Sequence, residues 1–150
     1  MRATTLLVAG LLLVAPGCGR KGPVLAPELV RPEPPTELAA SPTPEGVRLT
    51  WTRPVRYTGG QRMRDLGSFV IERADADTTA PQFTRVGTLE LRDQTRFRQE
   101  RRLTYTDRDV RAGGQYVYRV TARTIDGYDS AAAGPVAVRF TPPAGEAPPP

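Results

Sequence analysis

The chain has 150 residues, 21 of them basic and 16 acidic, for a net charge of +5; 20 of the basic residues are arginine and Lys21 is the single lysine. One cysteine and no histidine exclude an intramolecular disulfide, histidine-based metal sites, Cys-His pairs and Ser-His-Asp triads. A leader and proline-rich ends take up much of the length, which leaves about 100 residues for one small core.

The chain begins with Arg2 and an apolar run from Leu6 to Ala15, too short to span a bilayer and organised as a secretory signal. The sole cysteine, Cys18, follows Ala15-Pro16-Gly17, and this stretch resembles the lipobox of bacterial lipoproteins, with Ala15 where leucine is usual. The resemblance implies cleavage before Cys18, a diacylglycerol on its thiol and an acyl chain on its new amino group. Each buried methylene contributes about 0.8 kcal/mol, so several chains hold a protein durably where one does not. Gly19 stands where an aspartate commonly retains such proteins at the inner membrane. The expectation is therefore a lipid anchor in the outer membrane, with the folded part in the periplasm or at the surface. Cys18-Gly19-Arg20-Lys21-Gly22-Pro23 also resembles the start of a small lipoprotein family that includes an assistant of the lipopolysaccharide translocon. Arg20-Lys21 reads equally as a basic pair beside lipid phosphates.

From Pro23 to Pro44 there are seven prolines in 22 residues. Proline withholds a donor from helices and sheets, so an extended spacer at roughly 3.1 Å per residue is expected over much of the segment. Pro35 to Ala40 reads as a first edge strand.

Val47, Leu49 and Trp51 then alternate with polar residues up to Pro54, the period-two pattern of a half-buried strand. A polar connection over 55–66 leads to a strand over Ser68–Ala74, with Phe69 and Ile71 on one face and Val70 and Glu72 on the other. Phe83–Leu89 follows with Phe83 and Val86 inward, then Leu103–Thr106 through Tyr105. The cleanest alternation is Tyr116, Tyr118, Val120 and Ala122 against Val117, Arg119, Thr121 and Arg123, bounded by Gly113-Gly114 and Asp126-Gly127. Gly134–Phe140 closes the set with Val136, Val138 and Phe140. Seven short strands with turns between them predict an all-β, two-sheet antiparallel sandwich.

Leu49, Trp51 and Pro54, and Val110–Tyr116 followed by Tyr118–Ala122, resemble the patterns of the fibronectin type III family. The resemblance implies an immunoglobulin-like sandwich with Tyr116 as its structural tyrosine corner, the ring capping a crossing between sheets and the hydroxyl bonded to nearby backbone. Another immunoglobulin-like sandwich is the alternative, without the cysteine pair of antibody-type domains. The expected organisation is a signal peptide over 1–17, a lipidated N-terminus and tether over 18–34, the domain over 35–141 and a proline-rich tail over 142–150.

No catalytic residue, metal ligand set or cofactor is expected. Asp75 and Asp77 sit two apart in a loop, and solvent exposure explains them better than a shared calcium ion; Asp107 reads as a turn former. Arg85–Arg111 holds eight arginines against five acids, with Arg96, Arg98, Arg101 and Arg102 close together. That stretch is either a solvated face or a contact for an envelope protein or an anionic envelope polymer. Few aromatics are interleaved with it, which argues against nucleic acid. Tyr128, at the tip of the Asp126-Gly127 turn, is either a contact residue or a ring packed over the end of the core.

Overall fold

Alternating burial turns the sequence pattern into two sheets. A computed structural model describes residues 26–92 and 101–142, and in them seven strands: β1 (Thr36–Thr43), β2 (Gly46–Thr52), β3 (Leu66–Asp75), β4 (Thr84–Glu90), β5 (Arg102–Asp107), β6 (Gln115–Thr124) and β7 (Ala133–Arg139). In β2 the side chains of Val47, Leu49 and Trp51 are fully buried and Arg48 is exposed. β6 buries Tyr116, Tyr118, Val120 and Ala122 and leaves the residues between them partly open, as the pleat requires.

One sheet has the order β1-β2-β5 and the other β4-β3-β6-β7, with every pairing antiparallel. Thr36 pairs with Thr52, Thr52 with Arg102 and Leu66 with Thr124. The segment before β1, the connections 53–65 and 125–132, and residues 91, 92 and 101 therefore share one end of the sandwich, the upper end. The turns 44–45, 76–83 and 108–114 lie at the lower end, where Phe140 exchanges backbone hydrogen bonds with Gly113 and Gly114. The chain thus enters at the top and leaves at the bottom.

Between the sheets, the Trp51 ring meets Phe69 at 5.4 Å and a tilt of 58°, a geometry worth about 0.5–1.5 kcal/mol beyond the buried area. The Trp51 Nε1–H finds no acceptor among the described residues, a penalty that the burial of its large ring offsets. β3 is buried on both faces: Phe69 and Ile71 face the core, while Val70, on the outer face, is only 6% exposed. Val70 lies between Thr88 of β4 and Thr121 of β6, and on the same face Arg119 pairs with both carboxylate oxygens of Glu72 at 2.7 and 3.2 Å and lays its guanidinium 4.2 Å from the Phe83 ring centre. Phe83, expected inward, lies on this outer face because a bulge between Ile71 and Glu72 shifts the β3–β4 register ahead of it.

The described part of the proline-rich segment lies along the domain. Pro27–Val30 form a 3-10 turn and Pro32 is fully buried, bridged to Tyr57. Backbone N–H groups of Glu33, Thr58 and Gly59 donate to the carbonyls of Arg56, Arg31 and Leu29 at 3.0, 2.9 and 3.2 Å. Four prolines in the nine residues 27–35 leave few donors, and the 53–65 connection supplies them instead.

Candidate interaction surface

Asp107, at the end of β5, is 3% exposed and ties the two sheets together. Its Oδ2 accepts from Arg73 Nη1 at 2.7 Å and from the Tyr118 hydroxyl at 2.9 Å, while Oδ1 accepts from the Asp109 N–H at 3.1 Å. Arg73 also donates to the Asp109 carbonyl and places its guanidinium 5.1 Å from the Tyr116 ring centre. The bond to Asp109 makes Asp107 a turn former, as its sequence context suggested. Burial first, then the bond to Asp107, pushes the Tyr118 hydroxyl far above its ordinary range, and the same carboxylate holds the Arg73 guanidinium charged. With both oxygens committed and almost no exposure, this carboxylate is placed to hold the fold rather than to take a proton from a substrate. Arg73 was missed in the sequence, although it continues the inward series Phe69, Ile71; an inward charge needs a partner.

Tyr116 is 3% exposed, and its hydroxyl accepts the backbone N–H of Arg111 at 2.9 Å. A Cβ on Gly114 would stand 2.5 Å from that hydroxyl, so the absent side chain makes room for the ring. Beside it, Asp75, Asp77, Thr78, Arg111 and Gln115 line an open hollow of about 350 Å³. Asp77 accepts from Gln115 Nε2 at 3.0 Å, and no group of three metal-ligating residues occurs among the described residues.

At the upper end, Tyr57 donates to Asp65 Oδ1 at 2.5 Å; burial first, and that bond second, push its pKa up to about 12. The Ile125 N–H donates to the Asp65 carbonyl at 2.8 Å, joining the 53–65 connection to the β6–β7 turn. That turn is held by the Tyr128 N–H on Thr124 Oγ1 at 3.0 Å and by Arg123, whose two nitrogens grip Asp129 at 2.6 and 2.8 Å. Arg123 keeps the Asp129 carboxyl below the usual carboxylate range. Tyr128 is 39% exposed, so it stands open to solvent at the turn and is not packed over the end of the core.

The structure brings Arg101 and Arg102 to the same end as Tyr128. Both are exposed; the Arg101 carbonyl accepts from the Arg53 N–H at 2.9 Å, and Arg102 Nη2 reaches Thr50 Oγ1 at 3.3 Å. Cys18, Arg96 and Arg98 lie outside the described residues, as does most of the tail. The upper-end residues that sequence reading missed are Leu29 and Ile125, 44% and 56% exposed; an apolar residue beside a turn was the available signal.

Sheets of three and four antiparallel strands in this order, with a tyrosine tied back across the β5–β6 connection, define an immunoglobulin-like sandwich of the fibronectin type III fold. Among solved structures the chain is similar to the twitchin kinase region from C. elegans, with a TM-score of 0.53 and 22% identity over 74% of this chain. It is similar also to a group of titin domains, at 0.52 and 23% over 74%, and to a fourth fibronectin type III domain of a human protein, at 0.52 and 16% over 87%. The chain spans 17% and 32% of the first two and 97% of the third. Identities this low carry the fold alone. No family model and no curated protein matches the sequence.

Proposed function

We propose that this chain is a lipid-anchored protein of the bacterial envelope whose fibronectin-like domain acts by contact and not by catalysis. The observation that carries the non-catalytic reading is the saturation of Asp107, a buried acid whose two oxygens are occupied by Arg73, Tyr118 and the Asp109 N–H. The anchor rests on Cys18 directly after a short apolar run; no helix among the described residues is long and apolar enough to cross a membrane. Anchored through Cys18 in the outer membrane, the domain scaffolds or adheres to envelope proteins or anionic envelope polymers from the periplasmic side.

A second reading, an accessory factor for lipopolysaccharide transport or outer-membrane assembly, is favoured by the Cys18–Pro23 motif. Substituting Cys18→Ser and fractionating membranes tests the anchor: the variant is expected in the soluble fraction, and unchanged tight membrane association sinks the proposal. Cross-linking in intact cells separates the two roles. Recovery of lipopolysaccharide-transport components supports the second, and recovery of other envelope proteins the first.

A further inference from the structure

The upper end presents exposed apolar and basic side chains together. Leu29, Ile125 and Tyr128 are the exposed large apolar side chains among the described residues, and all three stand at this end. Leu29 sits over the Thr58–Gly60 turn, with its carbonyl on the Gly59 N–H; Ile125 is bonded to Asp65 and Tyr128 to Thr124. In the connections at this end Arg31, Arg56, Arg62, Arg64 and Arg101 are exposed, against the exposed carboxylates Glu28 and Asp126, with Glu37 and Glu90 exposed on the adjoining strand ends. The lower-end turns reverse the balance, with Arg108 and Arg111 exposed against Glu45, Asp77 and Asp109. Single exposed apolar residues are ordinary. Three at one end, ringed by arginine, are a distribution that discriminates one end from the other.

The covalent path says which surface lies opposite. Seven residues separate Cys18 from Ala26, and Ala26 already belongs to the docked segment, its carbonyl accepting from the Leu29 N–H at 2.9 Å. Fully extended, that path reaches about 28 Å. The ten-residue strands β3 and β6 measure about 33 Å. A lipid on Cys18 is therefore held closer to the upper end than the length of the sandwich. Such a short tether keeps the effective concentration of the leaflet high, so weak contacts suffice.

We propose that the upper end docks onto the phosphate-bearing lipid leaflet that holds the Cys18 anchor. This rests on the reading of Cys18 as a lipid attachment point. Leu29, Ile125 and Tyr128 enter the boundary between headgroups and acyl chains, where a tyrosine ring keeps its hydroxyl wet and its body in hydrocarbon. The arginines take the lipid phosphates, which their planar forks match in pairs of hydrogen bonds. The lower end, with the chain's exit, then points away from the membrane.

The test uses the full acylated chain in vesicles of phosphatidylcholine and phosphatidylglycerol, with the Cys18 thiol blocked by its lipid. An environment-sensitive fluorophore is attached at Ile125→Cys or, at the lower end, at Thr79→Cys, and spin-labelled acyl chains serve as quencher. The label at 125 is expected to be quenched several-fold more than the label at 79, and Arg62→Gln with Arg64→Gln to lower that quenching about twofold. Equal quenching at both positions, or no effect of the arginine pair, overturns the docking. Protein that fails to float with the vesicles overturns the anchor and the docking with it. Protein that floats with an unquenched label at 125 overturns the docking alone.

Discussion

Asp107 joins β5 to β3 and β6, so its loss is felt in both sheets. Asp107→Ala leaves the Arg73 guanidinium with only the exposed Asp109 carboxylate at 3.8 Å and the Tyr118 hydroxyl without its acceptor. Removing one member of a buried pair costs about 3 kcal/mol, the low end of its range because Arg73 keeps 18% side-chain exposure. Tyr118→Phe removes one hydrogen bond and keeps the ion pair, at about 1 kcal/mol. Urea denaturation followed by tyrosine and tryptophan fluorescence checks the order; equal costs would show that the ion pair adds nothing beyond the hydroxyl bond. Two hydrogen-bonded tyrosine hydroxyls, one at this site and one at the upper end, set an alkaline limit. Tyr118 and Tyr57 have their pKa values raised above the ordinary 10.0, Tyr57 to about 12, so the folded state keeps protons that the unfolded state releases. Their contribution is complete below pH 10 and is lost as pH climbs from there through the folded values. Melting temperatures between roughly pH 9 and pH 12 should fall, and less steeply in Tyr57→Phe and Tyr118→Phe; parallel declines in all three proteins would refute the assignment.

Among the elements, β2 and β6 were legible because each has one face in the core and one toward solvent, so that Val47, Leu49, Trp51 and the Tyr116–Ala122 series repeat every two residues. β3 was less so, since Val70 is buried on the outer face as Phe69 and Ile71 are on the inner one and the alternation is blurred. The tie through Asp107 was illegible because its partners Arg73 and Tyr118 arrive from 34 and 11 residues away. For residues 26–35 the composition pointed to a free spacer, whereas their docking depends on backbone partners in the 53–65 connection. Native-state hydrogen exchange should therefore find the amides of Glu33, Thr58 and Gly59 protected, and deletion of 26–34 should release Thr58 and Gly59. Exchange at the rate of free peptide in the intact chain would place that segment off the domain.

For the molecule as a whole, seven strands in two antiparallel sheets follow from the sequence pattern, and solved structures of the fibronectin type III fold share them. The proposed location and partner rest on residues outside that pattern: a cysteine ahead of the domain, and apolar and basic side chains in connections that the register of β2, β3, β5 and β6 brings to one end.

Entry at the top and exit at the bottom also give the domain a mechanical character. β1 starts at the upper end and runs downward, and β7 ends at the lower end. Tension applied between the segment before β1 and the segment after β7 pulls both strands along their own axes, and each ladder resists in shear, with its hydrogen bonds loaded together. Tension between the 44–45 turn and the C-terminal exit, both at the lower end, would instead peel β7 from β6 one bond at a time. Single-molecule stretching should record a markedly higher rupture force for the first geometry than for the second, and equal forces would count against it.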